Sequence, residues 1–483
     1  TEIYTLSLHD ALPIWISKEN AEDIAPPLTD IINSMLKSQI YPSLWKSAEI
    51  IPLPKTATPL LSKEFRPISL LWHCGKVAEQ FVVSRLRRTT KGLLTEDQYA
   101  YSEGVGCTEA LVDMISSWTK ALDQRSNLCL QSLFVDFSKA FDMMDPAILD
   151  KKLQHLSINP CLRCLISSFL SDRSACAIIR TTGQKSEPRV FNGGVPQGTL
   201  LGPVLWTIFI NDLPEKIQSS NATCKTTIYA DDVTAYLPIQ KGEVTLTHTG
   251  HRDRTLNAAP LQPVLNTVGD WSCENGMSLN ASKTKSMNIS ICLNISSTEP
   301  LTINNTEIEE VSEFKLLGVT VDRHLSFAAH AENVFQKSRS KLHALLVLKR
   351  HGVSTEGLIR FYQANIRSGI IYAAPAWFSF LTDYSRKSIE SIQRQCLRVI
   401  FPDLSYEERL SKAAMIPICD YLDTMCNSFL LNVATSETHR LKHHLPVRQS
   451  DIGRHSSRLR DVPKTLSNYN TTRKSLFSHY TVA

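Results

Sequence analysis

The sequence predicts an α/β (α+β) fold in which the last third of the chain is helical. Short β-rich runs alternate with segments of helical periodicity as far as about residue 322. From residue 327 onward, apolar residues recur mostly at helical spacing. Because 483 residues are too many for one compact core, we expect two to four subdomains.

The composition indicates an ordinary folded protein. Hydrophobic residues make up 42% of the chain and charged residues 20%, which argues against disorder. The formal net charge of +5 is compatible with a polyanionic partner but does not establish one. No uninterrupted apolar run reaches the length of a transmembrane helix, so we expect a protein without membrane association.

The twelve cysteines occur without a secretory signal, which predicts reduced and mostly buried thiols. Cys161 and Cys164 form the one CxxC pair, and the leucines that follow each of them indicate an apolar helix. We expect this pair to pack in the core rather than bind zinc, because no second pair lies at zinc-finger spacing.

The two ends of the chain differ from the middle. Residues 1–14 do not join the pattern that begins near Trp15, so we exclude them from the fold as a non-native leader. We also expect the chain to be part of a longer reading frame. From Arg440 to the end there are nine Lys or Arg against two Asp or Glu. This basic region is either a solvated tail or a nucleic-acid contact surface.

Elements can be predicted along most of the chain. A hairpin with arms at 48–53 and 65–70 should present Lys55 and Arg66 on its two arms. A helix should begin at Pro146, with Asp145 as its N-cap. The other predicted elements are helices near 28–36, 75–88, 108–124, 161–170, 200–213, 264–275, 330–349, 355–371 and 386–400, strands at 132–137, 175–180, 189–191, 285–292 and 314–321, and a polar loop at 240–260.

Three aspartates lie where strands end. Asp136 closes the apolar run 132–137, and Asp231 and Asp232 lie at the tip of a hairpin over 226–236. Charges at the ends of apolar strands are costly unless they face a cleft or bind cations. Carboxylates brought together bind Mg²⁺ well and can form a two-metal site. The alternative is that each aspartate is an ordinary turn or cap residue, and each pattern alone leaves that alternative open.

Six motifs in order over residues 45–320 resemble the reverse transcriptases of non-LTR retrotransposons, of the LINE-type and jockey-like kind. They are Phe65-Arg66-Pro67-Ile68-Ser69-Leu70, the run from Phe134 to Asp142, Gly194-Val195-Pro196-Gln197-Gly198, the YxDD motif Tyr229-Ala230-Asp231-Asp232, Trp271 with Leu279-Asn280 and Lys283-Thr284-Lys285, and Leu317-Gly318-Val319.

The resemblance implies a right-hand polymerase fold with fingers, a palm in which helices back an antiparallel sheet, and a helical thumb. The expected boundaries are fingers at 15–132, palm at 133–322 with an insertion at about 160–190, thumb at 323–400, and a helical and basic C-terminal region at 401–483. The resemblance also implies an RNA-directed DNA polymerase that extends a DNA primer, provided by target DNA, on an RNA template. Its substrates would be deoxynucleoside triphosphates, with two Mg²⁺ ions, which Mn²⁺ can replace.

Roles for single residues follow from the same resemblance. Asp136 and Asp231 would be the principal metal ligands, joined by Asp232 and the carbonyl of Phe137. Phe141 would be the aromatic gate that excludes a ribose 2′-hydroxyl; the alternative is that its ring only packs.

The remaining predicted roles concern the incoming nucleotide. Arg66 would bind the triphosphate, with Lys55 as a companion. Gln197 and Gly198 would shape the floor under the nucleotide and template. Lys283 would protonate the pyrophosphate, with Lys285 as the second candidate, although either lysine could equally be a solvated surface residue.

Two other functions remain open. One is an inactive relic that binds nucleic acid without turnover, and the other is a related polymerase from an intron maturase or retron. Ser102 stands where relatives usually carry a cation, which could weaken template binding. With no targeting signal visible, we expect an intracellular ribonucleoprotein, nuclear or cytoplasmic.

Overall fold

The fold is taken from a computed structural model, which describes residues 14–445 apart from 57, 125, 180, 181, 192, 242–245, 249–252, 257, 258, 292 and 298. The expected leader, except Ile14, and the basic region beyond residue 445 therefore lie outside the described residues.

The strands, numbered along the chain, are β1 (Ser47–Pro54), β2 (Phe65–Leu70), β3 (Asn127–Val135), β4 (Arg173–Ile179), β5 (Gln184–Lys185), β6 (Arg189–Phe191), β7 (Lys225–Tyr229), β8 (Asp232–Gln240), β9 (Leu246–His248), β10 (Asp253–Leu256), β11 (Lys285–Ile289), β12 (Asn294–Ser297), β13 (Thr302–Ile303), β14 (Thr306–Glu307), β15 (Glu309–Glu310), β16 (Glu313–Leu316) and β17 (Val319–Asp322).

The helices of the α/β part are α1 (Ile14–Glu19), α2 (Ala21–Ser38), α3 (His73–Thr90), α4 (Cys107–Asp123), α5 (Ala140–Met143), α6 (Pro146–His155), α7 (Pro160–Leu170), α8 (Leu201–Phe209), α9 (Leu213–Ser220) and α10 (Gln262–Glu274). The helices of the last third are α11 (Ala328–Arg350), α12 (Thr355–Phe361), α13 (Ser368–Ile371), α14 (Ala374–Trp377), α15 (Asp383–Ile400), α16 (Tyr406–Ala413) and α17 (Ile418–Thr435), with a π-helical turn at Tyr362–Arg367 and a 3₁₀ turn at Arg440–His444.

The first sheet carries the predicted hairpin. β1 and β2 pair antiparallel, with Leu53 opposite Arg66, and β4 adds to β1 in parallel. β5 and β6 both pair with β4. The hairpin is confirmed: β2 has the predicted bounds, and β1 is one residue longer at each end than the sequence predicted.

The central sheet has the order β15-β11-β3-β8-β7 and is antiparallel except at β15. Successive side chains of β3 point to opposite faces. Cys129, Leu133 and Val135 enter one hydrophobic core, which the helices α3, α6, α7 and α8 help to form. Leu130 and Phe134 enter a second core, which α4 shares with the helices of the last third. The sheet thus separates two cores, which is why β3 is buried on both of its faces.

The apolar helix predicted over 200–213 is wrong in its length. The structure ends α8 at Phe209 and starts α9 at Leu213. Lys152 donates to the carbonyl of Phe209 at 2.7 Å and to Asp212 Oδ1 at 2.6 Å, so a buried ammonium group satisfies the C-terminus of α8. The next helix begins at Leu213, and Pro214 lies in its first turn, where proline is favoured.

Two further predictions are corrected. Cys161 and Cys164 are exposed rather than packed in the core, because α7 turns Leu165, Ile166 and Phe169 inward instead. The region 240–260 is not only a loop, since β9 and β10 lie within it and form a small sheet with β12. Tertiary pairing between segments far apart in sequence decides such short strands.

The N-cap at Asp145 is confirmed: its carboxylate accepts from the backbone N–H groups of Ala147 and Ile148. The helical last third is also confirmed over its described part. Among the residues that the structure describes, no helix is both long and apolar enough to cross a membrane. The boundaries of fingers, palm and thumb stay predictions.

Candidate active site

The central sheet brings the predicted carboxylates together. Val135, the last residue of β3, pairs with Val233 on β8. Asp136 therefore leaves β3 beside the point where Asp232 enters β8. Asp232 itself pairs with Tyr229 across the two-residue turn that holds Ala230 and Asp231. All three carboxylates thus lie where neighbouring strands begin or end, on the side of the sheet that we call the carboxylate edge. Asp136 and Asp231 meet there although they are 95 positions apart in the chain.

The turn between β7 and β8 is held by its backbone. Ala230 has a φ of 57°, in the left-handed region that non-glycine residues rarely adopt. The Gln98 amide fixes this residue from both sides, accepting from its N–H at 3.1 Å and donating to its carbonyl at 3.3 Å. Trp206 Nε1 donates to the same carbonyl at 2.8 Å. These bonds offset the cost of the strained backbone and fix the direction of the neighbouring Asp231.

The backbone of Asp136 is fixed by the segment that precedes β11. Its N–H donates to Thr284 Oγ1 at 3.2 Å, and its carbonyl accepts from the N–H of Asn280 at 2.9 Å. The side chain of Asp136, unlike its backbone, is not fixed by hydrogen bonds to both of its oxygens. Within the described part of the chain, Asp136 Oδ2 is buried and accepts no hydrogen bond. Lys283 Nζ lies 3.7 Å from this oxygen, at ion-pair rather than hydrogen-bond distance.

The three carboxylates repel one another. Burial raises the pKa of Asp231, and the charge of Asp136 adds to that rise, while Lys283 opposes it. Burial, followed by the charges of Asp231 and Asp136, raises the pKa of Asp232 to about 6. A folded protein tolerates such a cluster when a cation completes it, and hard carboxylate oxygens are the ligands that Mg²⁺ prefers. The orphaned Oδ2 of Asp136 and the raised pKa values both fit a site for divalent metal.

The glycine-rich loop before α8 lies against the segment that follows β3. Val195 and Gly194 donate from their backbone N–H groups to the carbonyls of Phe141 and Met144, at 2.8 and 3.0 Å. Gly194 has a φ of 70°, and a Cβ there would lie 2.5 Å from the carbonyl oxygen of Asp142. Only glycine allows this approach, so the motif fixes the position of residues 141–144.

The same loop also contacts the hairpin formed by β1 and β2. The carbonyl of Gln197 accepts from Ser69 N–H at 2.9 Å, and its side chain lies 3.5 Å from Asp142 Oδ1. Gly198 has a φ of 108°, and a Cβ there would approach the carbonyl of Ser69 to 2.9 Å. Gln197 and Gly198 thus join β2 to the segment that follows β3, next to the carboxylates.

Two of the predicted aromatic residues pack around the carboxylate edge. The ring of Phe141 lies 5.3 Å from that of Trp206, the residue that supports the Ala230 turn. Phe141 is partly buried, so part of its ring remains accessible. Phe137 forms a bridge pair with Leu279 and contacts Trp271, with ring centroids 5.8 Å apart. Asp136 and Phe137 are therefore fixed by the same neighbouring segment.

The predicted cations lie at different distances from this edge. Burial raises the pKa of Asp142, while a hydrogen bond from Gln197 and the charges of Lys139 and Lys55 oppose that rise. Arg66 is exposed on β2, three residues before Ser69. Lys285 pairs with Glu309 at 2.7 Å, so of the two candidate lysines it is Lys283 that faces Asp136.

Comparison with known proteins identifies the family. A family described as reverse transcriptase (RNA-dependent DNA polymerase) matches residues 53–321, more than half of the chain. The chain belongs to the reverse transcriptase family. The matched region contains β2, the glycine-rich loop, the Tyr229–Asp232 turn and both strands of the β16–β17 hairpin.

The chain is also similar to two proteins of Drosophila melanogaster. One is a probable RNA-directed DNA polymerase from transposon BS, 28% identical over 381 residues, and the other is the RNA-directed DNA polymerase from mobile element jockey, 28% identical over 382 residues. Both matches cover 77% of this chain but only 40% and 39% of the relatives. The chain thus spans about two fifths of these relatives. Among solved structures, a telomerase from Candida albicans matches with a TM-score of 0.43 and 13% identity, covering 80% of this chain and 68% of that one.

The family match and the two Drosophila relatives confirm the resemblance to jockey-like elements and the fold class of a reverse transcriptase. Gln98 and Trp206 were missed as supports of the turn in this reverse transcriptase. Their partners lie 132 and 24 positions away in the chain, and a side-chain bond to a distant backbone group leaves no local signal in the sequence. The unusual conformation of Ala230 could have been suspected from its place in a two-residue hairpin turn.

Proposed function

We propose that this chain extends a DNA primer on an RNA template, using deoxynucleoside triphosphates as substrates. The single observation that carries the proposal is the convergence of Asp136, Asp231 and Asp232 at one edge of the palm sheet, where Asp136 Oδ2 accepts no hydrogen bond in the described chain. Membership of the reverse transcriptase family supports the reaction class.

Asp136, Asp231, Asp232 and the carbonyl of Phe137 would hold two Mg²⁺ ions, which Mn²⁺ could replace. When bound, these ions supply the charge that activates the primer 3′-hydroxyl and neutralises the leaving pyrophosphate. The chain itself contributes fixed geometry. Because the backbones of Asp136 and Ala230 are each held by two or more hydrogen bonds, the carboxylates need little reorganisation during turnover.

The residues around the carboxylates would position the nucleotide. Arg66 is exposed on the fingers hairpin, and a guanidinium group suits bidentate contact with phosphate oxygens. Lys55 would add a second charge. Gln197 and Gly198 would form the floor, since Gly198 carries no side chain and the Gln197 carbonyl is held by Ser69 N–H of β2.

Two residues would set selectivity and proton transfer. Phe141, supported by Trp206, would contact the sugar and exclude a 2′-hydroxyl by steric overlap. Lys283, with its side chain 68% exposed and its ammonium group 3.7 Å from Asp136 Oδ2, would give a proton to the leaving pyrophosphate. Ion pairing with Asp136 would keep this lysine near the carboxylates between turnovers.

The test is primer extension on an RNA template with Mg²⁺, using the full 483-residue chain. We expect DNA synthesis by the unmodified chain and by Asp403→Asn, a matched change at an exposed aspartate outside the carboxylate edge. Asp231→Asn should remove synthesis. RNA binding without any synthesis by the unmodified chain would contradict the proposal and favour a nucleic-acid-binding relic.

A further inference from the structure

A second cluster of metal-binding residue types lies outside the candidate active site. Asp113 on α4 faces His443 and His444 of the 3₁₀ turn Arg440–His444, and one ligand atom from each of the three lies within 4.8 Å of the others. His444 Nε2 is 2.7 Å from Asp113 Oδ1, and His443 Nε2 is 3.4 Å from the same oxygen. Residues 330 positions apart are thus directed at one point.

The hydrogen bonds of His443 fix its tautomer. Its Nδ1 lies 2.7 Å from the carbonyl oxygen of Arg440, and a carbonyl can only accept, so this nitrogen must carry a proton. In the neutral ring, Nε2 then presents a lone pair toward the carboxylate oxygen of Asp113. Two lone pairs that face each other repel unless a cation lies between them, and that cation is either a metal ion or a proton that makes His443 an imidazolium ion paired with Asp113. A metal-binding histidine is typically oriented in this way, with its other nitrogen donating to a carbonyl.

The third ligand, Asp113, lies in a cleft that Tyr99 also lines. Asp113 and His443 line a cleft of about 290 Å³ together with Glu96 and Asp97, so an ion has a path from solvent. The cations in this cleft are Lys225 and Arg440. The guanidinium group of Arg440 is directed at backbone carbonyls, those of Glu96 at 3.1 Å and Gln98 at 2.7 Å.

We propose that Asp113, His443 and His444 bind one Zn²⁺ ion, separate from the carboxylate edge of the palm. Two imidazoles and one carboxylate favour zinc over magnesium, which prefers oxygen ligands alone. Ligands around a tetrahedral zinc ion lie about 3.3 Å apart, given metal–ligand distances of about 2.0 Å. The His443–Asp113 distance of 3.4 Å already matches this value. The His444–Asp113 distance of 2.7 Å would have to lengthen by about half an ångström.

The ion would connect the 3₁₀ turn Arg440–His444 to α4. Arg440, three residues before His443, bonds the carbonyl of Gln98, and Gln98 holds the Ala230 turn beside Asp231. A zinc ion at this site therefore fixes the end of the described chain to the segment that supports the active-site turn. This makes the site a structural one that acts at a distance from the reacting atoms.

Zinc binding can be measured without any assay of activity. The full chain is freed of metal with a chelator, dialysed against Zn²⁺ in excess Mg²⁺ to keep the palm carboxylates filled, and analysed for bound zinc. We expect the unmodified chain to hold one zinc more per chain than His443→Ala, or to bind it at least about tenfold more tightly. His443 has a side chain that is 60% exposed, so this variant should fold.

The matched control is His351→Ala. His351 also places Nδ1 near a carbonyl, that of Val347 at 2.8 Å, and it lies at the end of α11 outside the cluster. This variant should bind as much zinc as the unmodified chain. If the unmodified chain and His443→Ala bind the same amount of zinc per chain, the proposal is overturned. A proton on His443 would then account for its pairing with Asp113.

A second measurement identifies the ligands. Co²⁺ in place of Zn²⁺ should give visible ligand-field bands without the intense thiolate charge-transfer band, because no cysteine belongs to the cluster. Asp113→Asn should remove these bands while leaving the far-ultraviolet circular dichroism unchanged. A thiolate band in the unmodified chain would assign the metal to the cysteines and overturn the site. Bands that persist in a folded Asp113→Asn would also overturn it.

Discussion

Two aspartates that end strands of this chain have opposite surroundings. Asp322 is the last residue of β17 and is only 8% exposed. Its carboxylate accepts from the backbone N–H groups of His324, Ser326 and Phe327 at 2.8–3.2 Å and from the Ser326 hydroxyl at 3.0 Å. Asp136 follows the last residue of β3, and its Oδ2 accepts no hydrogen bond within the described chain.

The backbone explains the difference. After Asp322 the chain turns back on the carboxylate, helped by Leu325 and Phe327 at φ values of 52° and 55°. After Asp136 the chain runs on in a bridge pair with Leu279, and the side chain is left facing Asp231 and Asp232. A saturated carboxylate stabilises a fold, whereas an unsaturated one beside like charges destabilises it and is kept for a ligand.

The largest expected effect is on DNA synthesis when a carboxylate of the candidate active site is neutralised. Asp136→Asn and Asp231→Asn should each lower the rate of primer extension by at least about a thousandfold, because each removes a charge from the metal site. The affinity for RNA, measured by filter binding, should stay within about twofold. Turnover retained in both variants would assign the metal site to other residues.

The next effect is on stability at the saturated carboxylate. In the unmodified chain, backbone N–H groups donate to Asp322 Oδ2. Asp322→Asn can replace that acceptor by an amide NH₂ group, which cannot accept, and this should lower the free energy of unfolding by about 3 kcal/mol. Urea unfolding measures this loss. Primer extension per folded molecule should not change. A stability equal to that of Asp403→Asn would show that the comparison between the two aspartates is wrong.

A smaller effect is expected at the support of the Ala230 turn. Gln98→Leu removes both hydrogen bonds to Ala230 and should lower kcat about tenfold, since Asp231 would lose its fixed direction. The affinity for RNA should not change. Gln393→Leu is the matched control, because Gln393 is a buried glutamine that bonds a backbone carbonyl, that of Ile416, within the helical last third. Equal kcat values in the two variants would remove Gln98 from this positioning role.

The smallest expected effect is a gain in stability, opposite in sign to the loss expected for Asp322→Asn. Asp232→Asn should stabilise the metal-free chain at neutral pH by on the order of 1 kcal/mol, since it removes a repelled charge that solvent already screens in part. The raised pKa of Asp232 means that the native state keeps its proton at a pH where the unfolded chain has lost it. The unmodified chain therefore loses stability as pH rises from about 4 through about 6.

The measurement is urea unfolding in chelator between pH 4.5 and 8. The stability gap between Asp232→Asn and the unmodified chain should be small at the acid end and complete above about pH 6.5. Added Mg²⁺ should close the gap, because bound cations remove the repulsion. A gap that does not vary with pH would show that repulsion is not its cause.

Much of the site could be predicted from the sequence because its signals are local. Alternation over a few residues located the hairpins, and short motifs located Asp136, Asp231 and Gln197 on particular turns. The predictions that failed depended on distant partners. The helix at 200–213 breaks where Lys152 caps α8, and the exposure of Cys161 and Cys164 depends on which face of α7 meets the core.

The sequence by itself determined the family, the strands that carry Asp136, Asp231 and Asp232, and which residue types could hold a metal there. Only the tertiary structure decided that Asp136 Oδ2 would be left without a hydrogen bond from the described residues while the Asp322 carboxylate received several, and that Asp113 would meet two histidines more than 300 positions away in the chain. The physical reason is that turn chemistry and periodicity act over a few residues. Hydrogen-bond saturation depends instead on every group that packing brings within about 3 Å.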